Sequence, residues 1–270
     1  MRRRQQNGGM DIEGLNRVAW DRAVESGMNP YTQVVSSQQV ADARAGSWAI
    51  KVSAQRPVPY EWFPPLPGLR VLCLAGGGGQ QAPILAAAGA EVTLLDGSPR
   101  QLGQDAFVSE RDRLELRLVQ GDMADLSAFT DGSFDLVVNP VSTLFVPDVG
   151  KVWRECRRVL ASQGVLIAGF MNPDEFVFDP DALDDRGEFV VRYPLPYVEH
   201  ETLDAAALQD RIAAGEMFHF SHTLEAQLGG MIEAGFVIAG FYEDRRTEED
   251  GNPIRFYLPS DFVVRALAAD

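Results

Sequence analysis

Short apolar runs, each ending in glycine or a polar residue, recur through the middle of the chain. Residues 71–74 form one run and lead into glycines; residues 92–95 form another and end at Asp96. Leu114, Leu116 and Leu118 then alternate with Glu115 and Arg117, and Val119 leads to Gly121 and Asp122. Residues 134–138 and 165–170 supply two more runs. A strand covered on both faces reads as a continuous apolar run, whereas alternation marks one wetter face. The third segment is therefore expected at a sheet edge.

Helical patterns fall between these strands. Residues 80–88 are alanine-rich, and Pro83 fits only a first turn, so this helix is expected to start near Gly79 with free N–H groups at its head. Ser98, Pro99 and Gln101 spell a capping box with proline at the first helical position. Val149, Val152, Trp153, Cys156, Val159 and Leu160 follow helical spacing and make one apolar face. A helix over residues 223–234 followed by a strand is expected near the end.

Strands alternating with helices predict an α/β fold with a mostly parallel sheet and helices on both faces. In such sheets ligands bind beyond the carboxyl ends of the strands. Residues 69–170 carry this alternation. Residues 1–68 read as an N-terminal helical lid and a proline-rich connector, set against a main domain over 69–270. The stretch at about 174–221 is long for a connector and is expected to be a lid on the substrate side, with a strand over 188–193.

Composition narrows the partners. The chain has 270 residues, 46% apolar and 23% charged, as in ordinary globular proteins. It carries 24 Lys+Arg against 39 Asp+Glu, a net charge of -15. Such a surface repels phosphate backbones, which argues against nucleic acid and anionic membranes. The one basic cluster is Arg2, Arg3 and Arg4 in a polar leader. Two cysteines, Cys73 and Cys156, give no disulfide framework, and a reducing cytoplasm fits them. No stretch reaches the roughly 18 to 20 apolar residues of a membrane span. Neither Lys51 nor Lys151 sits in a P-loop, and no GxSxG elbow occurs.

The candidate site lies at the strand ends. Gly76, Gly77, Gly78 and Gly79 let a ligand approach the backbone, more than a mere turn requires. Asp96 is placed to accept both hydroxyls of a ribose. Asp122 could accept from the exocyclic amine of adenine. The spacing Gly77-x-Gly79-x-x-Ala82 also satisfies a dinucleotide fingerprint, so an NAD-dependent oxidoreductase is a rival reading. Asp122 after an edge strand and the lack of a Tyr-x-x-x-Lys pair weigh against it.

The ordered segments VLCLAGGGGQQ, VTLLDGSPRQL, VQGDMADL and FDLVVNPVS resemble class I S-adenosylmethionine-dependent methyltransferases, above all bacterial members with an LCLAxGGGQQ loop. The resemblance implies a Rossmann-like, mostly parallel seven-stranded sheet and the cofactor S-adenosyl-L-methionine. It implies that Ala75, Gly77 and Gly79, within the glycine run, underlie the methionine end. It puts the ribose on Asp96, beside Gly97 and Ser98. It puts adenine near Asp122 and Met123, and makes Asn139 the cleft floor. Two departures stand out: Cys73 where the family usually has an acidic residue, and Ala75 where it usually has glycine. Gln81 is a candidate to replace the missing acid.

The implied reaction is in-line transfer of a sulfonium methyl, which depends chiefly on orientation and exclusion of water. A small-molecule acceptor is expected, and a base is needed only if the acceptor arrives protonated. Candidate bases or contacts are His219, His222 and Tyr31, with Trp20, Asn29 and Trp48 as further lid residues. Three histidines without a thiolate set argue against a metal. The segment Asn139-Pro140-Val141-Ser142 lacks the second proline and the aromatic of amine-methylating enzymes. A cofactor-binding protein without turnover is the remaining alternative, prompted by Cys73 and Ala75.

Overall fold

The computed structural model describes residues 10–247 and 253–269; the basic leader lies outside them. Seven strands form one sheet: β1 (Arg70–Leu74), β2 (Glu91–Asp96), β3 (Leu116–Gln120), β4 (Phe134–Asn139), β5 (Leu160–Met171), β6 (Phe236–Asp244) and β7 (Asp261–Ala268). Their order is β3-β2-β1-β4-β5-β7-β6. β1 to β5 are parallel, and β7 runs antiparallel to both β5 and β6.

Alternate side chains of the strands feed two cores. Leu72 and Leu74 of β1 join Val137 of β4 and Trp153 on one face, whereas Val71 and Cys73 join Leu136, Val138 and Leu85 on the other. This is the two-sided burial that continuous apolar runs encode. β3 is at the sheet edge, as its alternation predicts, and none of its residues is fully buried. It begins two residues later than the leucine pattern suggests. Arg113, at φ 56°, ends the preceding helix, and Leu114 bonds back to Ser109, so Leu114 belongs to that turn.

The helices are α1 (Ile12–Ser26), α2 (Ser37–Arg44), α3 (Gln81–Ala87), α4 (Pro99–Asp112), α5 (Val149–Val159), α6 (Pro180–Arg186), α7 (Glu199–Thr202), α8 (Ala205–Ala214) and α9 (Gly230–Glu233). α3 holds Pro83 in its first turn. α4 starts where expected, with half of the capping box: Ser98 Oγ accepts from the Gln101 backbone N–H and Pro99 takes the first position, but the Ser98 N–H donates to Asp96 Oδ1 and not to the Gln101 side chain. α5 buries Val149, Val152, Trp153, Cys156 and Val159. The expected helix over 223–234 is a π-turn, Glu225–Gly229, running into α9.

Residues 172–235 separate β5 from β6 and carry α6, α7, α8 and α9. The strand expected over 188–193 does not form; only a single bridge joins Phe178 and Val191. A third apolar cluster ties this segment to α1, with Ile12 and Leu15 packed against Phe218, Phe220 and Ile212. Among the described residues no helix is long and apolar enough to cross a membrane.

Candidate active site

The carboxyl ends of β1 to β5 open into one cleft of about 840 Å³, roofed by α1 and by Pro30 and Tyr31. That volume is within the roughly 300–1,000 Å³ typical of small-ligand sites. Of the predicted site residues, Ala75, Gly76, Gly77, Gln81, Asp96, Gly97, Ser98, Asp122, Met123, Tyr31 and His219 line it.

The floor is built from the β1 and β2 tips. The Ala75 amide donates to Leu95 O at 2.8 Å, and Ala75 adopts φ 48°, a conformation that explains why glycine is usual there. The Gly77 N–H donates to Asp96 Oδ2 at 2.9 Å, and the Ser98 N–H to Oδ1 at 2.8 Å. A carboxylate oxygen accepts more than one bond, so Asp96 retains capacity toward the cleft. Burial pushes its carboxyl above the ordinary range, and those two amides oppose the rise. A Cβ on Gly77 would stand 2.7 Å from Gln101 Cβ and 2.8 Å from Asp96 Oδ2, so side-chain-free backbone is required there.

Gly78 and Gly79 are used differently from the expectation that the whole glycine run faces the ligand. Both N–H groups donate to Asp105 Oδ2, each at 2.9 Å. A Cβ on Gly78 would meet Tyr31 O at 2.5 Å, and one on Gly79 would meet Val34 Cγ1 at 2.7 Å. These two glycines admit the N-terminal segment and a buried carboxylate, not a cleft ligand. The nicotinamide reading loses the fingerprint's second glycine on the same ground. Asp105 is a residue that the strand-end pattern does not single out. Its signal was an acidic residue in the buried stripe Leu102, Asp105, Val108. Burial pushes it up to about 7.

The next strand tip, after β3, and α1 extend the same side of the cleft. Asp122 Oδ1 accepts from the Ala124 amide at 2.9 Å. Glu13 of α1 also lines the cleft here; burial, then the charge of Asp122, pushes its carboxyl upward. Asp21 of α1 accepts from Ser98 Oγ at 2.6 Å, so the roof is fastened to the head of α4.

Other candidates hold the frame. Asn139 is fully buried outside the cleft, donating to Leu74 O and Ser142 Oγ, each at 2.8 Å. It clamps the β1 and β4 tips and is not the exposed floor. The Gln81 amide donates to Lys51 O at 2.9 Å. His222 is a structural pin: Nε2 bonds to Thr143 O at 3.0 Å and Val146 O at 2.9 Å, and burial lowers its pKa. Cys73 is fully buried within the sheet, and burial raises its thiol pKa strongly. Trp20 lines the cleft; Trp48 instead packs between Tyr60 and Phe63, and Asn29 caps the Tyr31 amide. Among the described residues no three acidic, histidine or cysteine side chains converge as a metal site.

The donor set fits an adenosine carrying an amino-acid tail. Acceptors at Asp96 and at Asp122 with Glu13 stand apart on one cleft wall. A Cβ on Gly97 would meet only Gly121 O, at 3.7 Å, so the space above it is open. Lys51 also lines the cleft, next to Gln81, whose side-chain N–H donates to the Lys51 carbonyl.

Comparisons with known proteins agree. The family profile described as "Methyltransferase domain" matches residues 72–168. The uncharacterized methyltransferase YbaJ of Bacillus subtilis is 48% identical over 230 residues, 85% of this chain and 89% of its own. Sterol 24-C-methyltransferase ERG6B of Gibberella zeae is 31% identical over 74% of this chain, but only 47% of its own length is spanned. Among solved structures, an S-adenosylmethionine dependent methyltransferase from Mesorhizobium loti shares the fold, with a TM-score of 0.59 at 19% identity, covering 77% of this chain and 94% of that one. Identity of this extent to a methyltransferase, along nearly the whole of both chains and on a sheet of this order, makes the chain a member of the class I S-adenosylmethionine-dependent methyltransferase family.

Proposed function

We propose that the chain transfers a methyl group from S-adenosyl-L-methionine to a small-molecule acceptor inside the roofed cleft. The observation that carries this is the pairing of Asp96 and Asp122 on adjacent strand tips, with bare backbone at Gly76 and Gly77 between them and β4. Asp96 would accept the ribose hydroxyls. Asp122, with Glu13, would accept from the exocyclic amine, and Met123 would pack on the base. Ala75, Gly76, Gly77 and Gln81 would flank the amino-acid end, with Lys51 facing its carboxylate. The cofactor supplies a positively charged sulfonium whose methyl is open to in-line attack; the chain supplies orientation and a roof that excludes water.

The acceptor is small on two grounds. One cleft of about 840 Å³ must hold both reactants, and a net charge of -15 disfavours a polyanion. The Gibberella relative, named a sterol methyltransferase, points the same way. α1 with Pro30 and Tyr31, together with the segment at about 174–221, would act as the lid, whereas Ile50, Val52, Val58 and Leu66 join the core beside β1; the two unpaired, buried cysteines suit the cytoplasm. Isothermal titration with S-adenosylhomocysteine tests the reading. Saturable binding is expected at tens of micromolar protein, weakened at least tenfold by Asp96→Ala. Absence of heat from the wild-type chain would remove the proposal. Binding without transfer of labelled methyl to any acceptor would favour a protein that keeps the cofactor and has lost turnover.

A further inference from the structure

We infer that His219, held by Glu199, takes the proton from the methyl acceptor, and that the acceptor is a hydroxyl on a planar apolar frame, such as a phenol. This rests on the methyl-transfer reading above and deepens it. His219 lines the cleft. Its Nδ1 lies 3.0 Å from Glu199 Oε2, which also accepts the His219 backbone N–H at 2.9 Å. Glu199 is buried, and its other oxygen pairs with Arg211 at 2.9 Å. A carboxylate on Nδ1 keeps the ring proton there and leaves Nε2 as the lone-pair nitrogen. Arg211 thus holds Glu199 from the far side and fixes the carboxylate that orients the ring.

The neighbouring walls set the frame of the acceptor. The Phe145 ring lies 5.6 Å from His219, and Trp20 of α1 meets Phe145 edge-on at 5.4 Å. These flat apolar surfaces suit a planar substrate. The chemistry sets the atom. A neutral amine already presents its lone pair and sheds its proton to water afterwards, and a thiol ionises near neutrality. A hydroxyl does neither, so a built base matches it. The oxygen's electron pair forms the O–C bond as the C–S pair returns to sulfur. The O–H pair stays on oxygen, its proton moves to Nε2 of His219, and the imidazolium, balanced by Glu199, releases it to water. His219 is the catalytic residue, and Glu199 acts through it as a positioning residue.

The test uses the full chain saturated with S-adenosylhomocysteine and 4-nitrophenol as probe, whose phenolate absorbs visible light. Wild type should show bound phenolate at a pH where the free probe is still protonated. His219→Gln should abolish that absorbance while leaving S-adenosylhomocysteine affinity within about twofold. With labelled S-adenosyl-L-methionine and matched phenols, anilines and thiophenols, label should go to phenols. His219→Gln should lower kcat about 100-fold with little change in KM. Glu199→Gln should shift the pH profile of kcat, and Glu199→Asp should restore part of it. The inference falls if His219→Gln keeps wild-type kcat, if only anilines or thiophenols are labelled, or if the nitrophenolate signal is absent or independent of His219. Failure of S-adenosylhomocysteine to bind would strike the underlying reading instead.

Discussion

Ala75 is held at φ 48° by the requirement that its amide reach Leu95 O while the chain turns into the glycines. The left-handed region costs an L-residue roughly 1–2 kcal/mol. Glycine would relieve this, less its larger entropy in the unfolded chain. Ala75→Gly should therefore raise stability by about 0.5 kcal/mol in urea melts and leave S-adenosylhomocysteine affinity unchanged. Gly77 has no such freedom, because a methyl there overlaps both Asp96 and Gln101. Gly77→Ala should weaken S-adenosylhomocysteine binding in isothermal titration by tenfold or more, since the carboxylate it displaces is the proposed ribose acceptor.

The element that closes the cleft is α1. Asn16 makes two hydrogen bonds with the Phe218 backbone, donating to O at 2.9 Å and accepting from N at 2.7 Å, in a buried position. At the next turns Asp21 holds the head of α4, and Glu25 pairs with Arg100 at 2.5 Å. The helix thus bridges the sheet and the segment between β5 and β6. Asn16→Ala strands two buried backbone groups at a cost of about 2–3 kcal/mol. The thermal midpoint should fall, and S-adenosylhomocysteine affinity should fall with it, because Glu13 lies on the same helix; a midpoint drop with unchanged affinity would detach the roof from the nucleoside site. None of this bridging was legible in the sequence. α1 carries few strong apolar positions, and its partners lie 77 and 202 residues away. The strand tips were legible because parallel strands put chemistry at one end of continuous apolar runs. Asp96 and Asp122 were found for that reason, whereas Asp105, inside a helix, was not.

For the whole molecule, pH sets a stability gradient. Burial raises Asp105 from its ordinary 3.8 to about 7, and Glu175 from 4.5 to about 7. Between those limits the folded chain holds protons that the unfolded chain has lost, so stability falls as pH rises through the interval. For Asp105 the full span is up to about 4 kcal/mol. Asp105→Asn keeps an oxygen for the Gly78 and Gly79 amides without the ionisation. Its thermal midpoint should drop less than that of wild type between pH 5 and pH 8; equal drops would show that Asp105 does not carry the gradient.

The contact between Asn16 and Phe218 places the roof helix one residue from His219. The proposed nucleoside site under α1 and the proposed base at His219 therefore share one support. Turnover should be ordered, with the methyl donor bound first and its demethylated remnant the last to leave.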